Sequence, residues 1–332
     1  MPASDLNPAD YAPGTLIHNH PDWKYHAAPG LSSTAVKTFI LKSPLHYYQT
    51  HVTHQIERDQ SDAMLLGELT HCMVLEPDSV KGRFERELSL EDYPDALVKV
   101  DDMKKYLKQH SLSTSGVKSE LIKRIQEHDP DVCIWDQRLY RQKQGKKKVI
   151  SASLWEKACG MTAGVIGNPA ALRLLSEGSP EVSVWARHCM NQEDDEGKGC
   201  TLETLIKCRC DWLNEYACVD LKTCSCSSPD AFAKDCAKFG YALQAVHYLE
   251  TLNSAGIDCP MFLFIAVESE PPYLAQVYEL DGRSLDKARE RYYKALEQLA
   301  YCQEINQWPG YTNCFSTLSL PVWHLKQLEV AA

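Results

Sequence analysis

The 332-residue sequence lacks the features of membrane and secreted proteins. It contains no apolar run long enough to span a bilayer, and no charged and then apolar signal segment follows Met1. We therefore expect a cytoplasmic protein with no membrane association. The absence of a secretion signal also argues against a disulfide framework, although the chain contains 14 cysteines.

A positive net charge, which would favour nucleic-acid binding, is also absent, because the formal net charge is −10. The charge is unevenly distributed, however. Residues 137–148 carry six basic residues and no acidic ones, and residues 97–127 carry seven Lys or Arg against four Asp or Glu. The middle of the chain is therefore locally basic, which fits either a solvated linker or a surface that contacts phosphates.

What the sequence does contain is a charged hairpin at residues 207–223. Two runs of alternating apolar residues flank residues 214–215, which predicts a β-hairpin. Asp220 and Lys222 are two residues apart and therefore project from one face of a strand. Asp211, on the first strand, lies near enough to reach that face. Two carboxylates and an ammonium that converge in this way can hold a divalent metal ion and a reactive water.

Residues before and after the hairpin extend this candidate site. A helix predicted over residues 61–75 carries His71, one turn after Gly67. Glu181 begins a predicted strand. After the hairpin, a helix predicted over residues 229–253 carries Gln244 and Tyr248 on one face. The ordered set is more specific than an Asp-x-Lys tripeptide alone, which is common in sequences.

Near the N-terminus, Gly30 precedes a predicted helix whose apolar residues follow at helical spacing. Ser32 or Ser33 can cap this helix. The two hydroxyls either serve only as caps or also bind an anion such as a terminal phosphate.

Two short amphipathic helices are predicted within residues 98–124. This stretch resembles a SAP module, a small DNA-binding unit, in its Val100-Asp101-Asp102 start, its Leu107 and Leu112 spacing, and residues 113–118 followed by Leu121. The resemblance implies that the second helix meets the DNA backbone through its first residues, including Gly116 and Lys118. The basic Lys146 and Lys147 follow it. A helical hairpin without a ligand is the alternative.

The complete pattern resembles the PD-(D/E)XK nuclease superfamily and, within it, the RecE-like exonuclease VIII family. The resemblance is carried by residues 23–32, by Gly67, His71 and residues 74–77, by residues 208–211, by Asp220-Leu221-Lys222, by Gln244 and Tyr248, and by residues 308–309 and 318–321. Two departures are the SAP-like insertion and the lack of a proline before Asp211.

The resemblance implies hydrolysis of DNA with Mg²⁺, for which Mn²⁺ could substitute. Metal ligands would be His71, Asp211 and Asp220, with Glu181 as a supporting ligand, and Lys222 would orient or deprotonate the attacking water. Gln244 and Tyr248 would hydrogen-bond Lys222 or a phosphate. The family further implies 5′→3′ degradation of linear double-stranded DNA ends, a 3′ overhang for recombination, a ring-shaped homo-oligomer, a single-strand annealing partner and a bacterial or phage origin.

The cysteines allow a second metal site as an alternative. Cys208, Cys210, Cys224 and Cys226 surround the hairpin, and some members of the superfamily hold an iron–sulfur cluster. Alternation places Cys208 and Cys210 on the face opposite Asp211, and the sequence contains no C-x₂-C motif. Both observations favour buried apolar thiols.

We therefore expect an α/β fold, with a mixed central sheet flanked by helices and a small helical insertion. The expected division is a first core segment at residues 1–90, the SAP-like insertion and a basic linker at residues 91–150, and a second core segment at residues 151–332. Besides the exonuclease, two functions remain: an endonuclease of restriction or repair type, and a non-catalytic DNA-binding protein that acts through the SAP-like module.

Overall fold

The fold is built around one mixed β-sheet with helices on both faces. The computed structural model describes residues 6–56, 61–193, 199–311, 314–320, 322 and 325. Among these residues, no helix is both long and apolar enough to cross a membrane.

The strands, numbered in chain order, fall into a large sheet and a small one. They are β1 (Leu16–Ile17), β2 (Leu31–Ser32), β3 (Phe84–Arg86), β4 (Lys148–Ile150), β5 (Ser179–Glu193), β6 (Gly199–Leu213), β7 (Ala217–Cys224), β8 (Met261–Glu268) and β9 (Ala275–Glu279).

The helices are mostly short, and the longest closes the core near the end of the described chain. They are α1 (Asp22–Ala27), α2 (Ser33–Leu41), α3 (Pro44–Tyr47), α4 (Asp62–Leu75), α5 (Val80–Arg83), α6 (Val100–Gln109), α7 (Lys118–His128), α8 (Trp135–Gln144), α9 (Ala152–Ile166), α10 (Pro169–Leu174), α11 (Pro229–Phe239), α12 (Tyr241–Ser254) and α13 (Gly282–Glu304).

The large sheet has the strand order β1-β5-β6-β7-β8-β9, and β2 pairs with β6 beside this path. Neighbouring strands are antiparallel except in the β2–β6 and β7–β8 pairs. The predicted hairpin is therefore present as β6 and β7. Only Trp212–Val219 and Leu213–Cys218 are paired between its strands. Beyond these pairs β6 stays with β5, whereas β7 follows β8, so the two strands part and leave a fork.

The two faces of the sheet bury different clusters. On one face, Val219 and Leu221 of β7 pack with Leu69 of α4 and Met161 of α9. On the other face, β7 contributes Cys218 to a cluster with the helices α11 and α12. Alternation therefore directs Asp220 and Lys222 towards α12. Cys208, Cys210 and Cys224 belong to the same apolar cluster as Cys218, which agrees with the expectation of buried thiols.

The SAP-like insertion forms its own small core from Met103, Leu107, Leu121, Ile125 and Ile134. Because the strands β3 and β4 pair with each other, they bring the two ends of the insertion together. The expectation of a basic linker was wrong for most of residues 137–148. These residues lie largely in α8, and the Gln142 side chain of that helix donates to the Arg86 carbonyl at 2.8 Å.

One other expectation from the sequence needed correction. The helix predicted over residues 229–253 is two helices, because Gly240 adopts a left-handed conformation with φ of 64°. Val117 is the N-cap residue of α7 and is exposed. Near the N-terminus, β1 pairs with β5.

Candidate active site

A cluster of ionisable side chains lies at the fork between β6 and β7. Three groups that could ligate a metal, those of His71, Glu181 and Asp211, have atoms within 4.8 Å of one another. His71 comes from α4, and Glu181 and Asp211 lie between the pairs Pro180–Trp212 and Val182–Cys210 of β5 and β6. Side chains from three elements that are distant in sequence therefore converge at this point.

The histidine is held in the tautomer that a metal ligand needs. His71 Nε2 lies 2.6 Å from the Leu221 carbonyl oxygen, so this nitrogen carries the proton and donates it. Nδ1 then presents its lone pair towards Asp211, whose Oδ2 lies 3.4 Å away. Burial, followed by the charge of Lys222, lowers the pKa of His71, which keeps the ring neutral. Metal-binding histidines commonly have this arrangement.

Gly67 permits the approach of α4 that places His71 here. A Cβ at this position would lie 3.6 Å from the Thr223 side chain of β7, at van der Waals contact. Any larger side chain would push the helix away from the strand. The Gly67 and His71 spacing in the sequence therefore has a packing reason as well as a chemical one.

The two acidic groups beside His71 repel each other in a site with little water. Burial, with the charge of Asp220 second, raises the pKa of Asp211 well above its usual range. Burial and the charge of Asp211 raise the pKa of Glu181 to about 7. Arg209 offsets part of this charge through an ion pair with Glu181 Oε2. A divalent cation at this place would favour the ionised form of each carboxyl group.

Asp220 and Lys222 lie on the other side of the fork from the triad of His71, Glu181 and Asp211. Lys222 Nζ is 2.5 Å from Asp220 Oδ2, and Gln244 Nε2 donates to Asp220 Oδ1 at 2.5 Å. Asp220 Oδ2 is fully buried, and the Lys222 ammonium is the partner that the structure gives it among the described residues. A carboxylate oxygen has more than one lone pair, so Oδ2 can also ligate a metal ion. Asp211 and Asp220 therefore do not share a strand face, as the sequence suggested, but approach through the gap where the strands part.

The helix α12 supplies Gln244 and Tyr248, as expected, although Gln244 has different partners from those expected. Its amide bonds Asp220 and Lys37 rather than Lys222. Tyr248 is buried against the ring of Phe262 and lines the cavity in front of the triad. Burial, together with the charges of neighbouring acidic groups, raises the pKa of Tyr248 far above neutral pH, so its hydroxyl stays protonated.

A cavity of about 1120 Å³ opens from the triad. Glu181 and Asp211 line one part, and Ser32 and Ser33 at the N-terminus of α2 line another. Ser32 Oγ caps this helix by accepting from the Ala35 amide at 3.3 Å, so its capping role is present. The volume exceeds the roughly 300–1,000 Å³ of sites for small ligands, which suits a segment of a polymer.

The remaining predicted DNA-binding residues lie far along the chain from this cavity, in and after the insertion. Lys118 is the first residue of α7, directly after Gly116, which has φ of 115°. Lys146 and Lys147 are exposed between α8 and β4. The structure therefore does not bring these residues into the metal-ligand cluster.

Sequence reasoning missed Lys37 and left Lys207 without a role. Lys207 is buried and donates to the carbonyl oxygens of Tyr25 at 2.8 Å and Ala28 at 2.5 Å, which ties α1 and the following loop to the sheet. Neither lysine has a spacing to the other site residues that a sequence pattern would reveal.

Comparisons with known proteins agree with this geometry. Residues 196–317 match a family described as a PDDEXK-like domain of unknown function (DUF3799), and residues 97–130 match the SAP domain. No curated protein is significantly similar to the chain.

Two solved structures extend the comparison to the fold. The crystal structure of a protein from Eubacterium rectale, described as a "Putative exonuclease", aligns at 11% identity and a TM-score of 0.51 over 97% of this chain and 98% of that chain. The structure of SSO0001 aligns at 12% identity over 76% of this chain and 92% of that chain, with a TM-score of 0.24 that supports no conclusion. The family matches therefore support a PD-(D/E)XK nuclease with a SAP module.

Proposed function

We propose that this chain, with a PD-(D/E)XK-type core and a SAP domain, is a Mg²⁺-dependent exodeoxyribonuclease that degrades linear double-stranded DNA from its 5′ ends. The observation that carries the proposal is the convergence of His71, Glu181 and Asp211 with Asp220 and Lys222 at the edge of a large cavity. The polarity and the 3′ overhang rest on the resemblance to RecE-like exonucleases.

The donor set suits a hard divalent cation. His71 Nδ1 and the carboxylates of Glu181 and Asp211 would hold it, and Asp220, whose Oδ2 pairs with Lys222, would be a further oxygen ligand. When bound, Mg²⁺ would lower the pKa of a water molecule and neutralise charge on the scissile phosphate. PDDEXK nucleases are metal-dependent, and Mn²⁺ could replace Mg²⁺ at the same oxygen ligands.

Lys222 can donate but cannot act as a base in this arrangement. Its burial alone would lower the pKa, but the charges of Asp220 and Asp211 outweigh that effect and raise the pKa. An ammonium group has three donors and no lone pair. We therefore assign Lys222 to orienting the attacking water or holding a phosphate oxygen, and not to removing a proton.

Capture of DNA would be divided between two surfaces. The cavity between the triad and the N-terminus of α2 would hold the strand that is cut, with Ser32 and Ser33 beside its phosphates. The half-buried Lys118 and the exposed Lys146 and Lys147 would contact duplex phosphates outside the core. The SAP domain supports DNA as the ligand.

The experiment compares three DNA substrates with Mg²⁺ or with EDTA: a linear duplex labelled at its 5′ ends, the same duplex labelled at its 3′ ends, and a covalently closed circle. We expect early release of the 5′ label as short products, retention of the 3′ label and an intact circle. The reaction should stop in EDTA, and Asp220→Asn should be inactive.

The same assay distinguishes the other functions. Cutting of the circle would replace the exonuclease with an endonuclease of restriction or repair type. Salt-sensitive binding with no product from any substrate, at any Mg²⁺ or Mn²⁺ concentration, would indicate a DNA-binding protein and overturn the nuclease.

The expected ring-shaped homo-oligomer and single-strand annealing partner rest on the family resemblance alone. Light scattering after size-exclusion chromatography, with and without a DNA end, tests the ring. A monomeric mass in both samples would contradict it.

A further inference from the structure

A chain of polar contacts leads from the buried Asp220 to the N-terminal helix α2. Gln244 Nε2 donates to Asp220 Oδ1 at 2.5 Å, and Lys37 Nζ of α2 donates to Gln244 Oε1 at 3.1 Å. Gln244 and Asp220 are almost fully buried, at 5% and 1% exposure. The three residues come from α2, α12 and β7, which are far apart in the sequence.

The chemistry of these groups determines which way the Gln244 amide points. An ammonium group can only donate, so Lys37 requires the carbonyl oxygen of the amide on its side. The NH₂ group then faces Asp220, which as a carboxylate can only accept. Without Lys37, the buried amide oxygen would lose its donor, and the orientation that directs the NH₂ group at Asp220 would be less favourable by that hydrogen bond.

The position of Lys37 is itself held by packing. Its side chain runs beside Gly240, where a Cβ would lie 3.4 Å from the Lys37 Cδ atom and 2.9 Å from Leu41 Cδ1. Lys37 Nζ and Lys222 Nζ both lie over the ring of Tyr241, at 5.7 Å and 5.1 Å from its centre. The two ammonium groups therefore share one aromatic ring as a neighbour.

We propose that Lys37 is a positioning residue that fixes the Gln244 amide so that it donates to Asp220. In this way Asp220 keeps one oxygen bonded to Gln244 and the other directed at Lys222 and the metal-ligand cluster. The inference rests on the proposed function only in taking Asp220 as part of the metal site. Because α2 also lines the cavity with Ser32 and Ser33, the same helix contacts the DNA-binding cavity and supports the site.

The test is a double-mutant cycle with Lys37→Met and Gln244→Met, measured by calorimetric binding of Mn²⁺ without DNA and by the rate of DNA cleavage at saturating substrate. Loss of a partner that supports metal ligands typically costs 10- to 100-fold in metal affinity or activity. We expect Gln244→Met to fall in that range and Lys37→Met to weaken Mn²⁺ binding about tenfold. Lys37→Met should add less than about twofold in the Gln244→Met background, because its partner is already gone.

Two variants control for charge. Lys42→Met removes a lysine that is exposed just after the same helix, and it should leave Mn²⁺ binding and cleavage unchanged. Lys37→Arg keeps the charge and a donor, and it should bind Mn²⁺ more tightly than Lys37→Met.

Additive losses for Lys37→Met and Gln244→Met in Mn²⁺ affinity would overturn the proposal. So would equal losses for Lys37→Met and Lys42→Met, which would reduce Lys37 to a general electrostatic contribution. If the wild-type protein binds Mn²⁺ with the expected coupling but cuts no DNA, the nuclease proposal fails while the role of Lys37 stands.

Discussion

The SAP region, taken as the SAP domain with the adjoining helix α8, and the core each contain a lysine paired with an aspartate, but in opposite surroundings. At the start of α7, Lys118 pairs with Asp136, and the two side chains are 40% and 54% exposed. In the core, Lys222 pairs with Asp220, and these side chains are 18% and 2% exposed. The exposed pair contributes little to stability and can be replaced by other partners, whereas the buried pair is costly to disrupt.

This difference in exposure fits two different functions of a lysine, the binding of DNA and catalysis. A lysine that binds a DNA phosphate has to exchange one anionic partner for another, which is easy in water. A catalytic lysine has to keep one position and one charge state, which burial and fixed carboxylates ensure. We therefore expect substitutions in the core to change the rate of cleavage, and substitutions in the SAP domain to change the binding of DNA.

The largest expected effect is that of Asp220→Asn. Loss of this carboxylate removes the partner of Lys222 and a proposed metal ligand, whose contribution to charge stabilisation is several kcal/mol. The rate of cleavage at saturating DNA should fall by about 1,000-fold or more. The matched change in α8, Asp136→Asn, should alter that rate by less than about twofold. A loss below tenfold for Asp220→Asn would contradict the assignment.

A second prediction concerns Asp211→Asn and the stability of the metal-free protein. The pKa of Asp211 is raised in the folded protein, so the folded state binds more protons than the unfolded state above the usual carboxyl pKa. Ionised Asp211 therefore destabilises the fold as pH rises through its folded pKa. The substitution removes this cost and should raise the melting temperature in EDTA.

Thermal unfolding measured from pH 5 to pH 8 tests this sign. In EDTA, the variant should exceed the wild type by a few °C at pH 8, since about 1 kcal/mol corresponds to 2–4 °C in larger domains, and the difference should shrink towards pH 5. With Mg²⁺ the wild type should gain more stability than the variant, because it binds the ion better. A variant that is less stable than the wild type in EDTA at pH 8 would refute the argument.

The two regions also differ in how much of their structure can be predicted from the sequence. In the SAP domain, Met103 and Leu107 of α6 and Leu121 and Ile125 of α7 are each four residues apart, so local pattern predicted both helices and their small core. In the core, the two-residue spacing of Asp220 and Lys222 likewise predicted that both side chains lie on one face of a strand. The pattern did not predict helix boundaries that depend on backbone conformation. Gly240, for example, divides one apolar helical pattern into two helices.

The contacts of Gln244 could not be predicted because they depend on how distant elements pack. Nothing in the sequence distinguishes Lys37 from other lysines, and its bond to Gln244 spans 207 positions. The sequence also does not predict how Asp211 lies relative to Asp220. Alternation gives the face of each residue along its own strand, but the separation of β6 from β7 depends on the pairing of β7 with β8.

A smaller effect is expected from removal of the two SAP helices. The Leu97 amide donates to the Cys133 carbonyl and the Trp135 amide donates to the Leu97 carbonyl, at 2.8 Å and 3.2 Å, so the ends of residues 98–133 lie side by side. A linker of about six Gly and Ser residues can replace this segment. We expect binding of duplex DNA at physiological salt to weaken by roughly tenfold, with the rate at saturating DNA nearly retained. A fall of the saturated rate by more than tenfold would show that the domain takes part in cleavage.

The smallest effect is expected at the ion pair of Lys118 and Asp136. It is also the sharpest test of the comparison between the exposed and the buried pair. Lys118→Gln removes one proposed phosphate contact and should reduce the slope of log affinity against log salt by about 0.9. Asp136→Asn frees Lys118 from its competing partner and should strengthen DNA binding, most clearly at low salt. Fluorescence anisotropy of a labelled duplex over a salt series measures both variants. Weaker binding by both would show that the ion pair supports the fold of the domain and does not compete with DNA, because only a competing partner makes the two substitutions act in opposite directions.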